Sequence, residues 1–433
     1  MMREVVLKDG ERAWLRPATP DDAEGALALL RPICAEHEFL ARDSIDFSIE
    51  EERAFLATAV SERRLLLLAV DAQGHIVGST GIAPDGEDHM PAASHVARIG
   101  IALHRDYRGR GLGRAAVQAV VDWGRRAGYK KAVAEVYSTN ARSLALFRGL
   151  GFGEEVVLRG QVCIHGRDVD AVLFALFLVD RASLLGMDRA SLPGVDRERA
   201  PGALARAPDH PPTPAGAGPA RGTDSARWTD PPPLPFVLRL ADGERVLARA
   251  ATPDDAPALN DVFRTVVREG GFVWEEYPFT VDDDRRRLLE GMAPGEALVV
   301  MAEAGGRPVG AIRGARFRRG EFPKCRHVLW ISTIILPGYR GRGLGRVLVS
   351  ALLCWAEQNG YRRAYAVTYA DNRASQGMFH ALGFCDEGVL RSSLFLHGRY
   401  IDDANLGVII PAARAERGGF LPPGDYRFER LEG

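Results

Sequence analysis

Two halves of this chain carry the same ordered set of short motifs, and that duplication limits the possible folds more than any single residue does. Asp9-Gly10-Glu11-Arg12 returns as Asp242-Gly243-Glu244-Arg245, 233 residues later. Ala18-Thr-Pro-Asp-Asp-Ala23 returns at the same offset as Ala251 to Ala256. Tyr107-Arg-Gly-Arg-Gly-Leu-Gly-Arg114 returns unchanged as Tyr339 to Arg346, now 232 residues later. Asn140, Leu150-Gly-Phe152 and His165-Gly-Arg167 keep that spacing to Asn372, Leu382-Gly-Phe384 and His397-Gly-Arg399. Matches in order over about 160 residues mean two copies of one domain, not a solenoid of short repeats.

Between the copies the composition changes. Eleven of the 26 prolines fall in residues 181–235, and Asp180-Arg-Ala-Ser-Leu is echoed at Asp188. Such a segment buries too little apolar surface to offset its ordering entropy, so it is expected to be a flexible linker. Its reach, about 40 Å as a coil, leaves open how the copies face each other. The expected divisions are a first domain at 1–180, a linker at 181–235, a second domain at 236–411 and a tail at 412–433. With 56 basic and 57 acidic side chains, no global basic face for nucleic acid is expected. No apolar run reaches membrane-spanning length, and the charged start lacks the apolar stretch of a secretion signal. The five cysteines show no Cys-x-x-Cys spacing, so neither a metal site nor a disulfide framework is expected, and a cytoplasmic location is.

Local patterns place the motifs. Val5–Lys8 and Ala13–Arg16 flank the turn Asp9-Gly10, and Thr19-Pro20-Asp21 signals a helix start. A helix near 49–61, strands Leu65–Val70, Ile76–Ile82 and Val96–Leu103, and a helix ending near Gly128 follow. Val133–Tyr137 reads as a strand, 141–149 as a helix, and Val156–Ile164 with Val169–Leu178 as a hairpin around His165-Gly166-Arg167. Copy two repeats the order, with helices near 254–268 and 280–291. The fold class is α/β: two domains, each a mixed, mostly antiparallel twisted sheet flanked by helices.

Within each copy, a strand runs into Arg108-Gly109-Arg110-Gly111-Leu112-Gly113-Arg114 or Arg340-Gly341-Arg342-Gly343-Leu344-Gly345-Arg346, and then into an amphipathic helix. Free backbone N–H groups at the positive end of a helix dipole favour a phosphate. A tight turn bearing solvated arginines is the plain alternative. Gly-Lys-Ser/Thr is missing, which excludes the nucleotide P-loop. Gly111 to Ala116 fits a loose dinucleotide fingerprint, but Leu348 breaks it in copy two.

These loops, with Asn140-x-x-Ser143, Asn372-x-x-Ser375 and the two Leu-Gly-Phe turns, resemble the GCN5-related N-acetyltransferase (GNAT) family. The resemblance covers each copy end to end. Gly388-Val-Leu-Arg391 and His397-Gly-Arg399-Tyr-Ile-Asp402-Asp403 look most like the branch containing the RimJ/RimL ribosomal-protein and spermidine acetyltransferases. The resemblance implies acetyl-CoA as co-substrate, held at the pyrophosphate by the loop amides. It further implies a backbone N–H at Leu103 and Ile335 for the thioester carbonyl, and pantetheine contacts from Asn140 and Asn372. Ser143, Ser375, Phe147 and Phe379 fall on family coenzyme positions. Each Asn is equally suited to cap the helix that follows.

The family's usual tyrosine acid is absent, since Phe147 and Phe379 occupy its place. Tyr137 and Tyr369 are candidate substitutes, with packing at a strand end as the plain role. Glu135 is a candidate base acting through water, although copy two has Val367 there. His95 and His327 have suitable ordinary pKa values near 6.5 but are expected at the surface. Acceptor contacts are expected from the loop between the first two helices, at Glu36 and Glu38 in copy one and Trp274 and Glu275 in copy two. The expected partner is a small-molecule or peptide amine, with no nucleic acid and no membrane. The two domains are expected to pair with each other, or the chain to dimerise. The competing expectation is an acyl-CoA-binding regulator without turnover.

Overall fold

Each copy starts from a charged clamp. Arg16 holds Asp22 through two hydrogen bonds (2.8 and 2.6 Å), and Asp22 in turn accepts from the N–H and hydroxyl of Thr19. Arg249, Asp255 and Thr252 repeat this. The Arg16 guanidinium pulls the Asp22 carboxyl down to about 2 from 3.8. The clamp therefore contributes stability that is present above pH 3.8 and is lost as pH falls toward 2. Asp22→Asn is expected to cost about 1 kcal/mol at neutral pH and to flatten that acid limb, read by urea unfolding at several pH values.

The computed structural model describes all residues except 1, 41, 43, 86–90, 186–229, 271–278, 292, 294, 318–321, 423, 425 and 431–433. Copy one runs β1 (Arg3–Val6), β2 (Arg12–Pro17), α1 (Ala23–Ala35), α2 (Ile49–Thr58), β3 (Leu65–Asp71), β4 (Ile76–Pro84), β5 (Val96–Leu103) and α3 (Leu112–Arg126). It continues with β6 (Lys131–Tyr137), α4 (Ala141–Gly149), β7 (Gly153–Ile164) and β8 (Arg167–Phe177), and a short α5 (Arg181–Leu185) follows. Copy two runs β9 (Phe236–Arg239), β10 (Arg245–Ala250), α6 (Ala256–Arg268), α7 (Val281–Gly291), β11 (Ala297–Ala304), β12 (Arg307–Arg316), β13 (Val328–Ile335) and α8 (Leu344–Gln358). It then has β14 (Arg363–Tyr369), α9 (Arg373–Ala381), β15 (Cys385–Leu396), β16 (Arg399–Ile409), α10 (Ile410–Arg417) and β17 (Arg427–Arg430).

The pairing order within copy one is β1-β2-β3-β4-β5-β6-β8-β7, antiparallel except for β5 beside β6. On one face α3 packs Leu112, Ala116, Val117, Val120 and Val121 against the sheet. On the other, Ala23 and Ala26 of α1 and Leu56 of α2 pack on Leu68. Residues beyond the expected second domain also join its fold. β17 pairs with β9, Phe420 and Leu421 enter the core, and Asp230 accepts hydrogen bonds from Arg414 and the Phe420 N–H.

The two copies pair with each other. Gly388 of β15 pairs with Val156 of β7, its own counterpart, so among the described residues seventeen strands form one continuous sheet. A pseudo-twofold axis passes through this pair, as in an isologous dimer. The backbones approach so closely that a Cβ on Gly388 would lie 2.2 Å from the Glu155 carbonyl oxygen.

Around the axis several contacts occur twice. Lys131 donates to Glu155 at 2.7 Å, and Arg363 grips Glu387 with two bonds of 2.6 Å. Each glutamate also accepts a backbone N–H from the opposite copy, Arg391 for Glu155 and Arg159 for Glu387. His95 bonds through Nε2 to the Ser392 carbonyl and His327 to the Gly160 carbonyl, both at 2.8 Å. The expectation of surface histidines is thereby corrected. Both rings lie at the junction, and burial lowers both pKa values, so each ring donates a neutral N–H.

Candidate active site

β5 and β6 pair only at Val96–Lys131, Ala97–Ala132 and Arg98–Val133. Beyond Arg98 they diverge, while β5 stays bonded to β4 and β6 to β8. β13 and β14 part in the same way after Ile331–Ala366. The His104 N–H bonds to Val77 of β4. Because strand groups alternate in direction, the N–H and carbonyl of Leu103 then face the gap. Leu336 bonding to Val309 orients Ile335 likewise.

The glycine loop closes the end of this gap. Gly109 and Gly111 have φ of +77° and +95°, and Gly341 and Gly343 have +72° and +87°. Such angles suit glycine and turn successive amides to one side. Ala115 is the first residue to bond back into α3, to the Gly111 carbonyl, and Val347 does the same in α8. Among the described residues, the N–H groups of Gly109 to Arg114 and of Gly341 to Arg346 therefore donate to nothing in the chain. Six free donors at the positive end of a four-turn helix form an anion cradle.

The loop arginines are largely committed elsewhere. Arg108 Nε holds the Leu103 carbonyl at 2.9 Å, and its two terminal nitrogens grip Glu36 at 2.8 and 2.9 Å. Arg340 does the same with Ile335 and Glu269. Arg110 is held by Asp9 and Glu11, and Arg342 by Asp242 and Glu244. The repeated Asp-Gly-Glu turn is thus the clamp for the loop's second arginine, a link that sequence spacing did not reveal. Arg114 bonds the Gly149 carbonyl, whereas in copy two Arg417 of α10 reaches the matching Ala381. The anion cradle is built from backbone amides rather than free guanidinium groups.

Asn140 accepts the Ser143 N–H at 3.1 Å and Asn372 the Ser375 N–H at 3.0 Å, so both cap their helices. Phe147 and Phe379, each 2% exposed, lie in the core, with edge-on contacts to Phe152 and Phe384. Both rings belong to the hydrophobic cores of their copies. Tyr137 and Tyr369 are buried at strand ends in clusters that span the domain junction. Glu135 lies just past the divergence point, on the sheet face opposite α3. It faces Arg98 at 3.5 Å, and Arg98 also bonds Asp85 at 2.7 Å. In copy two these three positions hold Val367, Trp330 and Phe317. Glu38 is exposed in the loop after α1, whereas Trp274 and Glu275 lie outside the described residues. Among the described residues no helix is long and apolar enough to cross a membrane, and no cluster suited to a metal ion occurs.

The acetyltransferase (GNAT) family model matches residues 34–152 and again 259–384, more than half of the chain. This chain belongs to that family of acyl-transferring enzymes, and carries its domain twice. Among curated proteins, it is 33% identical over 156 residues to a phosphinothricin N-acetyltransferase of Alcaligenes faecalis, spanning 36% of this chain and 77% of that one. It is 34% identical over 76 residues to the ribosomal protein bS18-alanine N-acetyltransferase of Escherichia coli, covering 18% of this chain and 51% of the relative. Among solved structures is a phosphinothricin acetyltransferase of Sinorhizobium meliloti in complex with AcCoA. It is 21% identical, with a TM-score of 0.35, and the match covers 38% of this chain and 88% of that one.

Proposed function

We propose that the chain is an acetyl-CoA-dependent N-acetyltransferase acting on a primary amine. The observation that carries this reading is the cradle of free amides at Gly109–Arg114, set at the mouth of the gap between β5 and β6. In this reading the units span 1–180 and 236–411, joined by 181–235, with the tail 412–433 packing back on the second unit. The bound thioester supplies the acetyl group. The loop amides hold its diphosphate, and the Leu103 or Ile335 N–H, aimed into the gap, donates to the carbonyl oxygen as negative charge develops. Asn140 and Asn372 keep a side-chain N–H₂ for the pantetheine arm, next to Ser143 and Ser375.

Turnover belongs to copy one. Glu135, at the divergence point, takes the amine proton through water, and Arg98 keeps it oriented. Arg98 beside Glu135 and Asp85 offers both charge signs, which suits an amino acid better than a polyamine. Tyr137 and Tyr369 serve packing. Glu135→Gln is expected to lower kcat for thiol release about a hundredfold with acetyl-CoA affinity intact. The assay uses acetyl-CoA with phosphinothricin and free amino acids, and an unchanged kcat removes Glu135 as base. A second reading draws on Val367, Trp330 and Phe317: copy two binds the coenzyme without turnover. Binding without thiol release for every amine tested extends that reading to the whole chain.

A further inference from the structure

We infer that the first copy's amine site is built by both halves of the chain, with Lys324 of the second copy as a positioning residue for the loop at 36–42 of the first. The inference rests on the function proposed above and on that loop facing the acceptor, as the sequence resemblance implies.

Lys324 is buried, 4% exposed, at the start of the segment that leads into β13. Its ammonium crosses the domain junction and donates to two carbonyls of the first copy, His37 at 2.9 Å and Leu40 at 2.7 Å. These carbonyls lie just after the C-terminus of α1, where the helix dipole favours a cation. The chain turns sharply there, because His37 has φ of +54°, a left-handed angle that a non-glycine residue adopts at a cost. A buried donor bridging both sides of that turn offsets the cost and fixes the loop's course.

Neighbouring contacts act in the same sense. The ring of Phe322 from copy two lies 5.7 Å from the Arg42 guanidinium, whose other neighbour is Phe47 at 4.9 Å. Cys325 is buried in a cluster with Tyr137, Val162 and Ile164 of copy one. At its near end the loop meets the coenzyme cradle, through Glu36 on Arg108 and Phe39 at 5.8 Å from the same guanidinium. Lys324, the loop, Arg108 and the Leu103 carbonyl thus form one contiguous chain of contacts. A displacement of the loop would move acceptor groups such as Glu38 and leave the amide cradle, anchored separately by Asp9 and Glu11, in place.

The test uses the full-length chain. Lys324→Met is expected to raise hydrogen exchange at amides 36–42 about tenfold while amides 109–126 keep wild-type protection. With phosphinothricin as acceptor, its KM is expected to rise about tenfold while kcat and acetyl-CoA affinity stay within about twofold. Lys324→Arg, which still presents a cation to both carbonyls, restores the KM. If the methionine variant fails to fold, Lys324→Gln, which keeps an N–H₂ but loses the charge and part of the reach, provides the same comparison. Unchanged exchange at 36–42, or a loosened loop with an unchanged KM, overturns the inference. If the wild-type chain releases no thiol with phosphinothricin or free amino acids, the proposed amine class fails, and the exchange arm still decides whether Lys324 holds the loop.

Discussion

Gly111→Val is expected to remove one of two acetyl-CoA sites from the full-length chain. At φ of +95° a β-branched side chain is strongly disfavoured, so the loop would have to rebuild, and the amides of residues 109–114 would lose their common aim. Losing two charge-assisted bonds of about 1.5–3 kcal/mol each weakens binding at least a hundredfold. Calorimetric titration should show the stoichiometry falling from two to one, and Gly111→Val with Gly343→Val should bind none. No added Cβ meets a neighbour closer than 3.8 Å at Gly111, and none within 4 Å at Gly343, so the core is left undisturbed. Unchanged stoichiometry and affinity would sink the proposed coenzyme site.

The second large effect is expected at the junction. Glu387→Ala leaves the Arg363 guanidinium, 1% exposed, without its carboxylate. Orphaning a buried charge costs about 3–5 kcal/mol. The variant also withdraws the acceptor for the Arg159 N–H of the other copy, so the loss reaches across the interface. Replacing the pair together, as Arg363→Met with Glu387→Leu, is expected to recover most of this cost. Denaturant unfolding of the three proteins measures both. A single variant within about 1 kcal/mol of wild type would show that the junction tolerates an open charge.

Much of the architecture was legible because duplicated spacing marks one domain twice, and because glycine and proline punctuate the strands and helices sharply. Expected strands and helices fall on observed ones with small shifts: Val5–Lys8 is observed as Arg3–Val6, and the helix near 49–61 ends at Thr58. The coenzyme loop was legible for a physical reason, since a strand, alternating glycines and an amphipathic helix occur together in few other settings. The junction was not. Lys131 and Arg363, like Glu155 and Glu387, sit 232 residues apart at matching strand positions. A charge repeated inside a buried strand was the available signal, but its partner lies on a different strand, beyond the reach of local pattern. For the same reason the partners of Arg108 and Arg110 could not be read from the sequence, since Glu36 and Asp9 claim them from elsewhere in the fold.

The self-pairing of Val156 with Gly388 bears on how the molecule behaves on dilution. Were the halves separate proteins, a face related to itself by a twofold axis would assemble only as concentration allowed. Covalent connection makes the same encounter unimolecular, with an effective concentration on the order of millimolar. It also lets each half drift in sequence without losing its mate, so one cleft can hold Arg98 and Glu135 while the other holds Trp330 and Val367. Asymmetry of this kind is closed to a pair encoded by one short gene.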